Sequence, residues 1–427
     1  MLDIKFLKEN ANIVKADLKK RGDEDKITWV DEAVSKNDDY WKLKAESDKL
    51  RNQRNILTRE INDLRKSGKD AASKIQEAKE LPEKIKNSDE QLAKLDERIK
   101  FILVRLPNVL HDSVPVGLDD SGNVEISKWG KIRKIDFELK PHGQLLEEAG
   151  LADFTRASKV SGSGFAFLKN DLVNLEMAVI RFSLDLLEKK KFTIISPPLM
   201  MKRELYEGVT ALSDFENVMY KIQGEDSYLI ATSEHPMAAM YAGETFDESD
   251  FPIKLAGISS CFRREIGSHG VDTRGLFRMH QFNKVEQFIF CRPEDSWKHF
   301  DEILENAQEV FQKLKIPYRL LSICTGDIGS VAAKKIDIEA WFPREEAYKE
   351  VVSCSNCTSY QAVGLGIRVK KKNSDEKVFA HTLNSTAVAT SRAMRAIVEN
   401  YQNADGTIEV PKVLQPYMGK KVIGKNQ

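Results

Sequence analysis

The sequence predicts an α+β protein, a body of mixed helices and strands preceded by a long antiparallel helical hairpin. Three observations carry this prediction. Leucine and isoleucine recur at heptad intervals between Tyr40 and Leu106. From Lys159 onward, helix-period runs alternate with short apolar runs of strand character. Within that region Ser259–Cys291 reads as an antiparallel strand hairpin, interrupted by a loop carrying Gly267, Gly270 and Gly275.

Met1 to Asp39 reads as a small helical lead-in, with Ile4, Leu7, Val14 and Leu18 near helical spacing. In Tyr40–Lys66 the heptad positions are Leu43, Leu50, Leu57 and Leu64, with Ile61 between them. After Ser67-Gly68-Lys69 the seam resumes at Ile85, Leu92, Leu95, Ile99, Ile102 and Leu106. Two such runs joined at a glycine make a helical hairpin of roughly 40 to 50 Å per arm, long enough to project beyond a compact body. Pro82 fits a helix start or a kink. Between Tyr40 and Lys69, nine basic residues stand against four acidic ones, a net charge of +5. Such a helix suits either a nucleic-acid backbone or self-association through a solvated coiled coil.

Residues 111–158, with Asp119-Asp120-Ser121-Gly122-Asn123, read as a linker, and 159–410 as the main domain. Ser161-Gly162-Ser163-Gly164-Phe165 is a turn that lacks the lysine and spacing of a P-loop. Leu172 to Leu186 marks an amphipathic helix, Phe192–Ile195 a short buried strand ending at Pro197-Pro198, and Tyr228–Ala231 a strand running into Thr232-Ser233-Glu234. Glu302 to Leu314 is helical, and Ile336–Phe342 and Tyr348–Ser353 are strands. Asn384-Ser385-Thr386 reads as the start of a helix, Ala387–Tyr401, whose free N–H groups would face anions. The tail, 411–427, has four lysines and no acid and reads as an extended appendage.

The 427 residues hold 66 basic and 66 acidic side chains, so overall charge selects no partner. The N-terminal residues lack an apolar signal core, and no run approaches bilayer-spanning length. Five cysteines without a regular framework fit a reducing compartment, and the expectation is a soluble, cytoplasmic protein without a membrane partner. Cys354 and Cys357 lack partners at zinc spacing and are expected to be buried thiols, so no zinc is expected. Trp297 and Trp341 are expected in the core, and His269 is a solvated loop residue or an RNA contact.

Strand alternation puts Arg263 and Glu265 on one face of the first hairpin strand, and Phe282, Lys284 and Glu286 on one face of the second. A cation, carboxylates and an aromatic ring on one surface suit a phosphate, an ammonium group and a purine. The same pattern also fits a salt-bridged sheet edge.

Five strings, in order, break this tie. They are TSEHP at Thr232–Pro236, CFRREIGSHGVDTRGLFRMHQFNKVEQF at Cys261–Phe288, EAWFP at Glu339–Pro343, EVVSCSNCTSYQA at Glu350–Ala362 and HTLNSTAVATSRAMRAIVENYQ at His381–Gln402. Together they resemble the seryl-tRNA synthetases, a family of class II aminoacyl-tRNA synthetases, over nearly the whole chain. The VVSCSNCT wording and the lysine tail resemble the eukaryotic cytosolic branch most closely.

The resemblance implies a mostly antiparallel sheet flanked by helices, in a homodimer, with Phe192–Leu199 similar to the dimer-forming motif. It implies activation of L-serine by ATP to seryl-adenylate, followed by transfer to tRNA(Ser) and also to tRNA(Sec). Residues 1–110 would form the tRNA-binding arm. In the family's motifs Arg263 matches the arginine bridging the α-phosphate and the serine carboxylate, beside Arg264. Glu265 matches the adenine neighbour, Phe282 the adenine-stacking ring, and Met279, His280 and Gln281 the nucleotide site. Arg278 and Arg392 match the pair on the outer phosphates, so Arg263 and Arg392 are the expected catalytic residues. Glu350, Val351, Val352 and Ser353 complete the ATP site, with Glu350 and Ser353 at the Mg2+ position. Thr232, Glu234, Arg263, Glu286, Asn384 and Thr386 match the serine contacts.

Two points depart from a simple match. Glu350 and Ser353 are three apart, so both face one metal only if their strand bulges. The family commonly reads QARR where this chain has Gln361-Ala362-Val363-Gly364. Two rival functions remain at this stage, a synthetase-like paralogue that loads an amino acid onto a carrier protein and a non-catalytic RNA-binding scaffold. The long arm argues against the first, and the intact charged set Arg263, Glu265, Glu286, Glu350 and Arg392 against the second.

Overall fold

A computed structural model describes residues 1–210, 216–265 and 275–424, so His269 and the loop glycines Gly267 and Gly270 lie outside the described residues. The chain divides into two compact units, Leu2–Pro107 and Asn108–Gln427 with Met1.

In the first unit, helices Ile4–Glu9 and Ala11–Arg21 precede α1 (Ile27–Lys66) and α2 (Ala72–Arg105). The first arm helix therefore runs unbroken from Ile27, and no boundary falls at Tyr40. At 40 residues it spans about 60 Å, longer than the leucine heptads alone indicate. Its N-terminal third buries Val30 and Ala33, and Ile27, Val30 and Val34 recur at helical rather than heptad-leucine spacing there. The antiparallel pairing is sealed by Leu57, Leu81 and Ile85, with Leu50 and Ala78 packed alongside. Ion pairs flank it: Arg51 holds Asp89 at 2.6 and 2.7 Å, and Arg98 holds Glu32 at 2.7 and 2.8 Å. Gly68 turns the chain in the left-handed region, φ +69°, where a side chain would be strained. Pro82 neither starts nor ends a helix; α2 continues through it. The loss of one N–H is outweighed by Leu81 and Ile85, which anchor both sides in the seam.

The second unit is built on an eight-stranded sheet. In chain order its strands are β1 (Val124–Trp129), β2 (Thr193–Ile195), β3 (Ile253–Phe262), β4 (Gln281–Cys291), β5 (Tyr318–Ser322), β6 (Lys334–Phe342), β7 (Ala347–Thr358) and β8 (His381–Ala389). They lie in the order β1-β5-β6-β7-β8-β4-β3-β2. Every pairing is antiparallel except the edge pair β2–β3. The helices used below are α3 (His142–Glu148), α4 (Asp171–Lys189), α5 (Arg203–Val209), α6 (Glu234–Ala239), α7 (Ser296–Leu314), α8 (Tyr360–Leu365) and α9 (Thr390–Asn400). The apolar faces of α4, α7 and α9 cover the sheet, placing Leu175, Val179, Phe300, Phe311, Met394 and Ile397 in one core. Among the described residues no helix is long and apolar enough to cross a membrane.

Three expectations are corrected here. Residues 111–158 are not a linker: β1 pairs along β5, and α3 buries Leu145 and Leu146. As an edge strand exposed on both faces, β1 alternates only over Val124–Ser127 before the pattern breaks at Lys128, too short a signal to mark a strand. The tail is no loose appendage: Leu414 and Ile423 enter the core, and Val422–Ile423 pairs with Ile408–Glu409. Its described lysines, Lys412, Lys420 and Lys421, stay exposed, which is what made it look solvated. Finally, Asn384-Ser385-Thr386 begins no helix. These residues lie inside β8, a central strand buried on both faces, and the helix starts at Thr390. The small residues of Ser385–Ala389 suit a strand covered on both faces as readily as a helix, so pattern alone could not separate them.

Candidate functional site

The β3–β4 hairpin supplies the floor of the site. Cys261 pairs with Phe282, Ser259 with Lys284 and Gly257 with Glu286. Beyond the end of β3 the pairing continues, as the Arg263 N–H donates to the His280 carbonyl at 2.9 Å and the Arg264 N–H to the Val218 carbonyl at 2.7 Å. Arg263 therefore holds a fixed backbone position past the sheet edge. Its Nε donates to the Ala231 carbonyl at 3.1 Å, and its guanidinium carbon lies 5.5 Å from the Phe282 ring centroid.

Above this floor opens a cavity of about 580 Å³, large enough for a nucleotide with a small amino acid. Fourteen of the sequence-predicted residues line it: Thr232 and Glu234 from the α6 turn; Arg263, Arg264, Glu265, Met279, Phe282 and Glu286 from the hairpin; Glu350, Val351 and Ser353 from β7; and Asn384, Thr386 and Arg392 from β8 and α9. Arg278, His280, Gln281 and Val352 do not line it. Arg278 is exposed before β4 begins, and Gln281 alternates away from Phe282 to solvent. His280 bonds the Tyr220 hydroxyl at 2.5 Å through Nδ1 and packs near Phe165. Val352 is turned into the core.

The bulge that Glu350 and Ser353 require is present. Opposite consecutive residues Ile338 and Glu339 of β6 stand Val352 and Glu350, so Val351 is the extra residue. Ser353 pairs with Asp337 and Glu350 with Glu339, which puts both on the face carrying Asp337. Arg392 closes this side, with Nη1 donating to the Glu350 carbonyl at 3.0 Å and lying 3.1 Å from its Oε1. The Glu350 side chain is about half exposed, and Arg392, Arg263 and Lys335 hold its carboxyl below its ordinary range. Asp337 is pushed up to about 7, by burial first and then by Glu350, and its buried Oδ1 has no hydrogen-bond partner.

At the opposite end, Glu286 is a buried anion with two partners: Lys284 Nζ at 2.6 Å and the Thr386 hydroxyl, which donates at 3.1 Å. The side chains of Lys284 and Glu286 are only 6% and 2% exposed, so each requires the other. Glu234 is pushed up to about 7, by burial first and then by Glu286. Burial lowers His235 to about 3, so it is a neutral partner of the Tyr206 hydroxyl, 2.9 Å away. Asn384 Nδ2 donates to Cys357 Sγ at 3.5 Å. All five cysteines are buried and free. Trp297 packs partly buried against the core and Trp341 stands beside Tyr348, away from the cavity lining.

Sequence reasoning did not assign four participants. Lys284 was visible only as a face-mate of Phe282 and Glu286. Lys335 and Asp337 are separated by two along β6, so strand alternation places them on one face. Gln361, which donates to Glu234 at 2.9 Å, sits at the head of the stretch that departs from the family's wording.

At Gly364 that departure falls on a close helix contact, and nothing in the structure explains Val363. α8 crosses α5 so closely that a Cβ on Gly364 would stand 2.1 Å from the Gly208 carbonyl oxygen. Gly364→Arg is therefore expected to force the two helices apart and cost about 1–3 kcal/mol. A lowered Tm checks this, and an unchanged Tm would show that the crossing is adaptable.

A nearly antiparallel sheet presenting an arginine and a carboxylate just beyond the end of one strand, an aromatic ring on the next and a second arginine from a following helix is the architecture of a class II aminoacyl-tRNA synthetase. Residues 218–401 match the family model described as the tRNA synthetase class II core domain (G, H, P, S and T). Residues 1–110 match the seryl-tRNA synthetase N-terminal domain. A serine–tRNA ligase from Methanoregula boonei is 60% identical over 99% of both chains. The crystal structure of seryl-tRNA synthetase from Pyrococcus horikoshii complexed with ATP superposes with a TM-score of 0.90, at 46% identity and 99% coverage of each chain. That of cytoplasmic serine–tRNA ligase from Naegleria fowleri in complex with AMP gives 0.85 at 34% identity, covering 99% of this chain and 98% of its own. The chain belongs to the seryl-tRNA synthetase family. The eukaryotic leaning of its wording gains no support, since the Methanoregula relative is much nearer than the Naegleria one.

Proposed function

We propose that this protein is a serine–tRNA ligase that activates L-serine with ATP and transfers the seryl group to tRNA(Ser). The observation that carries this reading is the single cavity floor on which Arg263, Phe282 and Glu286 converge, with Arg392 and Glu350 facing them.

Adenylation joins the serine carboxylate to the α-phosphorus and releases diphosphate, with no nucleophilic side chain required. Positioning and fixed cations supply the catalysis. Arg263, fixed by its Nε bond and its ring contact, would hold the α-phosphate and the serine carboxylate together. Phe282 would stack the purine, and Arg392 would hold the outer phosphates. Glu286 and Glu234 offer acceptors for the ammonium and hydroxyl groups of serine, with Thr232, Asn384 and Thr386 beside them. Buried acceptors left unpaired would disfavour alanine strongly.

The oxygen donors Glu350 and Ser353, placed on one face with Asp337 by the bulge, fit a hard divalent cation such as Mg2+. Among the described residues no group of three or more His, Cys, Asp or Glu is placed to hold a metal ion. An ion held by Glu350 and Ser353 would have to take its remaining ligands from phosphate and water. When bound, the ion would neutralise charge on the phosphates. Chelating it is expected to stop diphosphate release.

Residues 1–110 are read as the arm that grips tRNA, chiefly through its backbone and shape. A homodimer is the accompanying reading. It is supported by the open edge at β1, where Val124 and Ile126 are about half exposed, and by Leu118, 93% exposed. One assay tests these points together: size the purified protein by light scattering, then charge tRNA transcripts with serine. A two-chain mass and charging of tRNA(Ser), with tRNA(Sec) also accepted, are expected. A one-chain mass would remove the dimer, and adenylation without any charging would favour a carrier-protein ligase.

A further inference from the structure

Glu234 stands in the first turn of α6, whose neighbouring threonine orders it only through the backbone: the Glu234 N–H donates to Thr232 Oγ1 at 3.2 Å. Its carboxylate is held from elsewhere. Gln361 on α8 is buried and donates from Nε2 to Glu234 Oε1 at 2.9 Å. The Gln361 Oε1 in turn accepts from the hydroxyl of Thr382, itself buried in β8, at 2.7 Å. Three elements far apart in sequence thus form one chain of hydrogen bonds ending at the amino-acid end of the cavity.

We propose that Gln361, oriented by Thr382, is a positioning residue of the amino-acid pocket, holding the Glu234 carboxylate as the acceptor for the substrate's ammonium group. This rests on reading that end of the cavity as the serine site. The chemistry favours an amide here. Glu286 is already held by a cation, Lys284. A second lysine on Glu234 would compete with the substrate ammonium, whereas a neutral donor fixes the carboxylate and leaves its charge for the ligand. Thr382 engages the amide oxygen, which leaves the nitrogen end towards Glu234.

The ionisable groups around Glu234 are Glu286 and Lys284 on β4, Arg263 beyond β3, His235 on its own helix, Tyr206 on α5 and Cys357 on β7. Burial and then Glu286 push Glu234 up to about 7, while Lys284, Gln361 and Arg263 pull it down. A substrate ammonium binds the ionised form, so the KM for serine falls as pH rises through about 7. Removing the Gln361 donor takes away one downward influence and moves that limb to higher pH.

The test is the KM for serine in ATP–diphosphate exchange between pH 6 and 9, for wild type, Gln361→Leu, Thr382→Val and Thr382→Ser. Loss of a hydrogen bond to a charged group predicts a rise of about tenfold at pH 7 for Gln361→Leu, with the pH limb displaced upward. The KM for ATP should stay within about twofold, since a positioning defect confined to the serine end leaves nucleotide binding alone. Thr382→Val should shift in the same direction by less, and Thr382→Ser should match wild type. An undisplaced limb in Gln361→Leu, or equal rises in both KM values, would overturn the inference. If Gln361→Leu fails to fold, the Thr382 pair decides: Val unlike Ser supports it, Val equal to Ser overturns it. Wild type without serine-dependent exchange would remove the serine reading itself; wild-type exchange with unshifted variants removes only the role of Gln361.

Discussion

Arg263→Ala is expected to lower serine-dependent ATP–diphosphate exchange by about 10²–10³-fold, the range found when a fixed group facing developing charge is removed. Arg263 is held twice, by its bond to the Ala231 carbonyl and by its place beside Phe282. Its charge therefore needs no reorganisation when negative charge grows on the phosphate. The side chain is half-buried beyond the end of β3 and outside the apolar core, so the variant should fold. Circular dichroism and the melting temperature check the fold. Because Arg263 also faces the serine carboxylate in the proposed site, both kcat and the KM for serine should suffer. Exchange within tenfold of wild type would place the α-phosphate elsewhere in the cavity.

The second large effect separates the arm from the cavity. Lys49, Arg54, Arg59, Arg65, Lys66 and Lys69 are exposed on α1 and its turn, and none is in an ion pair among the described residues. Changing all six to glutamine is expected to reduce tRNA charging at physiological salt by at least about a hundredfold, because each lost phosphate contact also removes counterion release. The salt dependence of charging should flatten. Exchange should remain at the wild-type level, since no arm residue lines the cavity. The seam is untouched, as Leu57, Leu81 and Ile85 seal it. Undiminished charging would mean that the positive face is solvated surface and that α1 serves self-association.

What the sequence disclosed follows from what each residue faces. Leu50 and Leu57 declared the arm because a two-helix seam repeats every seven residues. Arg263, Phe282 and Glu286 declared the floor because strand alternation is rigid once the hairpin is recognised. β1 stayed hidden because its alternation is confined to Val124 and Ile126, both exposed on an edge strand, and β8 because small residues covered on both faces satisfy helix and strand alike. The tail misled by its lysines, while Leu414 and Ile423 anchor it. The bulge at Val351 was inferable only as a condition, since register belongs to two strands at once. Gln361 was out of reach for the same reason: its partners, Glu234 and Thr382, come from distant elements.

The cavity's defining property is the amino acid it activates. The direct measurement is ATP–diphosphate exchange by the purified chain with serine, alanine, glycine and threonine supplied separately. Serine alone should drive exchange at an appreciable rate. Equal exchange with alanine or glycine would contradict the roles given to Glu234, Glu286 and Thr386.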